Sequence, residues 1–202
     1  MDAGLVQPIV VGRDGSHEDT IVAAATAAVD VWWATADDPA WRLWLGSAFT
    51  KSVRHTNLRE LAKVAALCPI EATVVGGAVA YGMLPVSYEA MDRRVRRCQV
   101  AGLDLERADR PVDVSGPGLL VSVNAGLGMS TGKAAAQVAH ALFLHALTAD
   151  RLPVAVWAAS GFPFTLDAAG VHFDRPAPTV EVRDAGFTEI APGSITVRAW
   201  PV

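Results

Sequence analysis

Residues 119–141 read LLVSVNAGLGMSTGKAAAQVAHA. A short, largely apolar run is followed by a glycine-rich stretch and then by a dense alanine run carrying three polar side chains. That order is the signature of a buried parallel strand feeding a helix of about 15 residues, a βα unit. Glycines 126, 128 and 132 let the backbone turn tightly, and Ser130 or Thr131 can cap the helix that follows. Lys133, Gln137 and His140 stand at i, i+4 and i+7 and therefore share one helical stripe, set among Ala134, Ala135, Ala136, Ala139 and Ala141. Polar groups on so apolar a helix must reach water or find partners. A cation in the first helical turn meets the unfavourable end of the helix dipole, so Lys133 calls for a compensating anion. The loop is not a Walker A motif, since three residues separate Gly128 from Gly132 where that motif has four, and it is not GxGxxG.

Working outward, the chain contains a second stretch of the same kind. A shift of 111 lays residues 119–124, LLVSVN, over residues 8–13, PIVVGR, and Ala134–Ala136 over Ala23–Ala25. A shift of 107 lays VEVRDAGFTEIAPGS over TVVGGAVAYGMLPVS. The fold class expected is therefore α/β, in two similar small units, pseudo-duplicated, each a mixed sheet with helices on its faces. The units are residues 1–115 and 118–202, with the break near DVSGPG at 113–118. Under these shifts Lys133 falls on Val22, Gln137 on Thr26, His140 on Val29, Asp184 on Gly77 and Thr188 on Tyr81. The first unit is then a degenerate structural partner without site residues, and the second carries the chemistry.

Further strands are expected at Leu43–Val53, Ala72–Tyr81, Val154–Ala158, Thr179–Arg183 and Ser194–Trp200, and a turn around Leu166–Gly170. Asn57 and Glu60 have capping-box spacing and start a helix that ends before Pro69. Trp32, Trp33, Trp41 and Trp44 read as core or as the interface that joins the halves.

Of 202 residues 51% are hydrophobic and 19% charged, enough to bury a core and too apolar for disorder. The N-terminus lacks a basic segment leading into an apolar run, and no window suits a membrane span, so a soluble cytoplasmic protein is expected. Cys68 and Cys98 are widely separated, without zinc or CxxC spacing, and read as two partly buried thiols. Seventeen Lys and Arg against twenty-one Asp and Glu give a net charge of −4, so any polyanion must find a local patch. The densest cluster is Arg93, Arg94, Arg96 and Arg97, which is either such a patch or a solvated strand edge.

The anion that Lys133 requires is expected from residues 183–196, RDAGFTEIAPGSIT, where Asp184 follows a strand-like VEV at the point where the chain turns. Thr188 and Thr196 add hydroxyls. A strand, a loop ending in GK, AAQxxHA and then DAGxTxIxPG, in this order, resemble the type-2 peptidyl-tRNA hydrolase family, directly over about residues 118–202. The resemblance implies a carboxyl-ester hydrolase that cleaves the ester between peptide and tRNA, with peptidyl-tRNA as partner and with neither metal nor organic cofactor. It implies that Lys133, Asp184, Thr188 and Thr196 are catalytic, and that Gln137, His140, Ser130 and Thr131 belong to the substrate-binding surface. Asp184 would orient or deprotonate a water with help from Thr188, while Lys133 and helix N–H groups would stabilise the oxyanion. Members commonly read KMGKGK before AAQ; here Gly128 and Thr131 stand where lysines are usual, and Glu189 stands where Gln is usual. Those departures leave a second function class open, a non-catalytic member of the fold that binds a small anionic or acyl ligand or a protein. A third, structural role would follow from a buried Lys133–Asp184 pair without an adjoining cleft. A homo-oligomer or an intrachain pseudo-dimer is the expected assembly.

Overall fold

The computed structural model describes residues 4–108, 118–185 and 190–202. In the first unit, strand β1 (Leu5–Gly12) runs into helix α1 (His17–Ala34), followed by α2 (Pro39–Leu45), β2 (Thr50–Thr56), α3 (Leu58–Ala65), β3 (Thr73–Val75), β4 (Ala78–Gly82), β5 (Val86–Ser87) and α4 (Arg93–Arg96). In the second, β6 (Leu119–Val123) leads through a 3-10 turn (Ala125–Leu127) into α5 (Thr131–Thr148), then α6 (Arg151–Ala159), β7 (Phe164–Asp167), β8 (Val180–Arg183) and β9 (Ile195–Pro201). The fold is α/β. The sheets run β2-β1-β4-β3, with β5 beside β1, and β7-β6-β9-β8. In each, the first strand of the unit pairs in parallel with one neighbour and antiparallel with the other. The two units are thus similar sheets of the same strand order.

Helix α1 packs on the first sheet, α5 on β6, β8 and β9 of the second and on β2 of the first, and the two helices pack against each other. Alanine makes that approach close: Ala23, Ala24, Ala25, Ala27 and Ala28 on α1, and Ala134, Ala135, Ala139 and Ala141 on α5, are fully buried. One continuous core therefore spans both units, taking in Trp41, Trp44, Phe143 and Trp157. Gly82 is required by this packing, because a Cβ there would run into the carbonyl of Ala27. The opposite face of the first sheet is closed by a smaller cluster that includes Val10, Leu61, Val64, Met91 and Val95.

The units do not superpose without gaps. Val11 pairs with Ala80 as Val121 pairs with Ala199, which sets β1 and β6 110 positions apart rather than 111. The single-residue difference matters, because side chains alternate across a sheet: Ile9 and Val11, like Leu119, Val121 and Val123, face the shared core. Helix caps Ser16 and Ser130 are 114 positions apart, so the second strand-to-helix loop is four residues longer. Helical equivalence then places Lys133 over Asp19, Gln137 over Ala23 and His140 over Thr26. In the first hairpin Val75 pairs with Ala78 across Gly76 and Gly77, whereas in the second Val182 pairs with Val197 across residues 183–196. The segment that carries Asp184 thus has only a two-residue turn as its counterpart.

Several expected strands differ. Leu43–Val53 divides between α2 and β2: Asp38 caps a helix that begins at Pro39, and Trp41 and Trp44 stand at helical spacing facing the core. Ala72–Tyr81 is the hairpin of β3 and β4 rather than one strand. Val154–Ala158 lies within helix α6, because Pro153 sits in the first turn, where its missing N–H costs nothing. Arg93, Arg94 and Arg96 lie on α4 and Arg97 caps it, all exposed, instead of lining a strand edge.

Candidate functional site

Asp184 ends β8 at an irregular step in the ladder between Val182 and Arg183, and its backbone N–H and C=O pair with Ser194 and Gly193. This hairpin base turns its carboxylate onto α5. Lys133 Nζ lies 2.5 Å from Asp184 Oδ1, with side-chain exposures of 11% and 5%. Gln137 Nε2 donates to the same oxygen at 3.1 Å. The Gln137 carbonyl in turn accepts from the Thr196 hydroxyl of β9 at 2.8 Å. The sequence-expected residues Lys133, Gln137, Asp184 and Thr196 therefore form one connected network from three elements. Lys133 and Gln137 are one helical turn apart, which lets both reach a single carboxylate oxygen. A carboxylate gripped by an ammonium and an amide is held in a fixed orientation.

Ser130 and Thr131 have different surroundings. The Ser130 hydroxyl accepts from the Lys133 N–H and caps α5. Thr131, fully buried, turns toward the other unit: its hydroxyl accepts from the Leu105 N–H at 2.9 Å and meets His17 Nδ1 at 2.9 Å. The Gly132 N–H is taken by the Leu103 carbonyl, and the His17 N–H by Glu106. The N–H groups of Gly132 and Lys133 are thus both engaged within the protein. Thr188 lies outside the described residues.

The comparable corner of the first unit carries the opposite polarity. Asp19 occupies the lysine position of the helix, and its carboxylate lies where a Cβ on Gly76 would stand. A side chain at position 76 has no room beside that carboxylate.

His140 continues the stripe one turn beyond Gln137 and is half-buried. Its Nδ1 lies 3.1 Å from Nζ of Lys51, a β2 residue of the first unit. The Lys51 ammonium stands over the rings of Trp44, Phe49 and Phe143, at 4.7, 4.3 and 4.5 Å from their centres. Burial pushes its pKa well below the usual lysine value. Burial, and then Lys51 and Lys133, push His140 well below the usual histidine range. Lys51 was not singled out from sequence; a lone lysine on a strand carries no periodic signal, and its partner is 89 residues away.

Two hollows lie on the first unit, an apolar one around Pro8, Leu67 and Met83 and a mixed one around Cys68, Ile70, Glu71 and Tyr81, and neither is lined by the network. Among the described residues no group of three or more His, Cys, Asp or Glu could hold a metal ion, and no helix is long and apolar enough to cross a membrane. No protein-family model, no curated protein and no solved structure matches this chain, so the network itself is the ground for a functional reading.

Proposed function

We propose that this chain is a carboxyl-ester hydrolase of the peptidyl-tRNA hydrolase type, cleaving the ester between peptide and tRNA with an activated water and without metal or organic cofactor. The observation that supports this is the convergence of Lys133 and Gln137 on the Asp184 carboxylate, with Thr196 holding Gln137. In this reading Asp184 orients and deprotonates the water, assisted by Thr188. Lys133 neutralises the oxyanion that forms on the ester carbonyl. The carbonyl carbon gains the hydroxyl, the tetrahedral intermediate collapses, and the ribose oxygen leaves with a proton. Gln137 and Thr196 are positioning residues: Thr196 is fully buried and reaches the carboxylate only through Gln137. His140, Ser130 and Thr131 complete the proposed substrate surface, the last two by fixing the start of α5. Residues 118–202 carry the site, and residues 1–115 are the structural partner of an intrachain pseudo-dimer working in the cytoplasm. The exposed arginines of α4, on the far side of the first sheet, are the densest cationic patch open to phosphate.

The depth of the Lys133–Asp184 pair favours one other reading, a non-catalytic member of the fold in which the pair is structural and a small anionic or acyl ligand, or a protein, is bound instead. Hydrolysis of purified peptidyl-tRNA separates the two. The wild type should release peptide, and Lys133→Ala and Asp184→Asn should each slow it by roughly 100-fold or more while remaining folded. Undiminished cleavage by Asp184→Asn would remove the mechanism, and absence of turnover combined with salt-insensitive tRNA binding would leave the binding reading in front.

A further inference from the structure

We infer that Lys51 of the first unit is a positioning residue of the site: its ammonium donates to His140 Nδ1 and so holds that ring neutral, with its proton on Nε2. The role assigned to His140 rests on the proposed hydrolase reading, whereas the tautomer rests on the Lys51 contact and on the charge of that lysine.

A buried lysine normally finds a carboxylate, because an isolated ammonium taken out of water loses most of its hydration. Lys51 has none among the described residues; its polar contact is the imidazole. The rest of its surroundings are the ring faces of Trp44, Phe49 and Phe143, which attract a cation through their quadrupoles. An ammonium has three donors and no lone pair, so with Lys51 charged the imidazole nitrogen 3.1 Å away is the acceptor. The proton of the neutral ring is then on Nε2, the other nitrogen. Charged groups around the ring reinforce this. Lys51 from β2 and Lys133 from the same helix both oppose a second proton, and no carboxylate contributes to His140 in the other direction.

The cage is also built at a cost, which points away from mere space filling. Phe49, whose ring stands 5.0 Å from His140 and 4.3 Å from the lysine, has φ of 31°, a conformation that a residue with a Cβ rarely adopts. Trp44 is fixed by its indole N–H, which donates at 2.9 Å to the carbonyl of Thr50, the residue that follows the strained Phe49. A buried amine and a left-handed phenylalanine, brought together beside a helix stripe that already carries Lys133 and Gln137, specify the state of one nitrogen. His140 then presents a neutral N–H donor that does not titrate over the range where an ordinary histidine does.

Nitrogen-detected NMR of the full chain, with His140→Gln identifying the signals, tests this directly. In the wild type His140 should remain the neutral Nε2–H tautomer through the range where an ordinary histidine titrates. In Lys51→Met, which removes the lysine's repulsion and leaves the burial in place, its titration should move up toward the ordinary histidine value. Lys51→Met should also raise the unfolding midpoint, since it removes a buried charge, while peptidyl-tRNA cleavage gains an acid limb that the wild type lacks. A wild-type ring carrying its proton on Nδ1, or a titration unchanged in Lys51→Met, would overturn the inference. A wild type without peptidyl-tRNA cleavage would instead sink the hydrolase reading and leave the NMR result to decide the lysine.

Discussion

A single hydroxyl shows how tightly the network is tied. Thr196 donates to Gln137, and Gln137 passes the other end of its amide to Asp184. Replacing Thr196 by valine keeps shape and volume but leaves the Gln137 carbonyl buried without that donor, at a cost of about 1–3 kcal/mol. Denaturant unfolding should show this loss, and cleavage of peptidyl-tRNA should fall at nearly unchanged KM, because the affected group steers the carboxylate rather than the substrate. The stripe Lys133, Gln137 and His140 was legible in sequence because helical periodicity alone puts those residues on one face. Lys51 was not legible: nothing in a strand reading of TKSVRHT says that the second residue will be covered by another unit's helix and three aromatic rings. Asp184 was legible as the anion that Lys133 demanded, and the 2.5 Å pair is where that demand is met.

At the scale of elements, the approach of β4 to α1 is governed by Gly82. A methyl group there meets the Ala27 carbonyl, so Gly82→Ala must push strand from helix and should destabilise by about 1–3 kcal/mol. The same substitution leaves the Asp184 hairpin of the other sheet untouched, so peptide release by the folded fraction should be unchanged; calorimetry beside the cleavage assay checks both halves of that statement. Elements also mark where sequence reading stopped. Two βα units could be seen because apolar runs and alanine-rich helices repeat, yet their register could not, since four residues are added before α5 and twelve within the second hairpin. Gapless overlay hides insertions of this kind, because one alanine in a run looks like the next. Val154–Ala158 was misread for a related reason: Val, Trp and Ala in a short apolar run suit either a strand or a buried helix, and only the position of Pro153 in the first turn decides.

For the whole molecule, histidines set the response to acid. His17, His140 and His145 all have pKa values lowered by burial, with Arg107 adding to the effect at His17 and the two lysines at His140. Below about pH 6.5 the unfolded chain binds protons that the folded chain refuses, so stability should fall as pH drops from about 7 toward 5. Asp30, raised by burial, works in the opposite sense. The carboxyl of Asp167 is different: burial works to raise it, but the backbone N–H groups of His172 and Val171 and the Ser122 hydroxyl outweigh that and lower it, so its support is lost only in stronger acid. Unfolding midpoints measured across pH 4–8 should therefore rise steadily through the histidine range, and a flat profile there would contradict the burial of these rings.

Residues 103–106, which belong to the first unit by sequence, supply carbonyls to the N–H groups of both His17 and Gly132, and Leu105 takes the Thr131 hydroxyl as its acceptor. One strip of backbone thus finishes the starting turns of both central helices at once. The second unit, although it holds the ion pair, is closed by chain that it does not own. The face that holds the ion pair is consequently not a transplantable module: a change in the strip between the helices would reach Lys133 through Gly132, one peptide away, without touching a single residue of the unit that carries the pair.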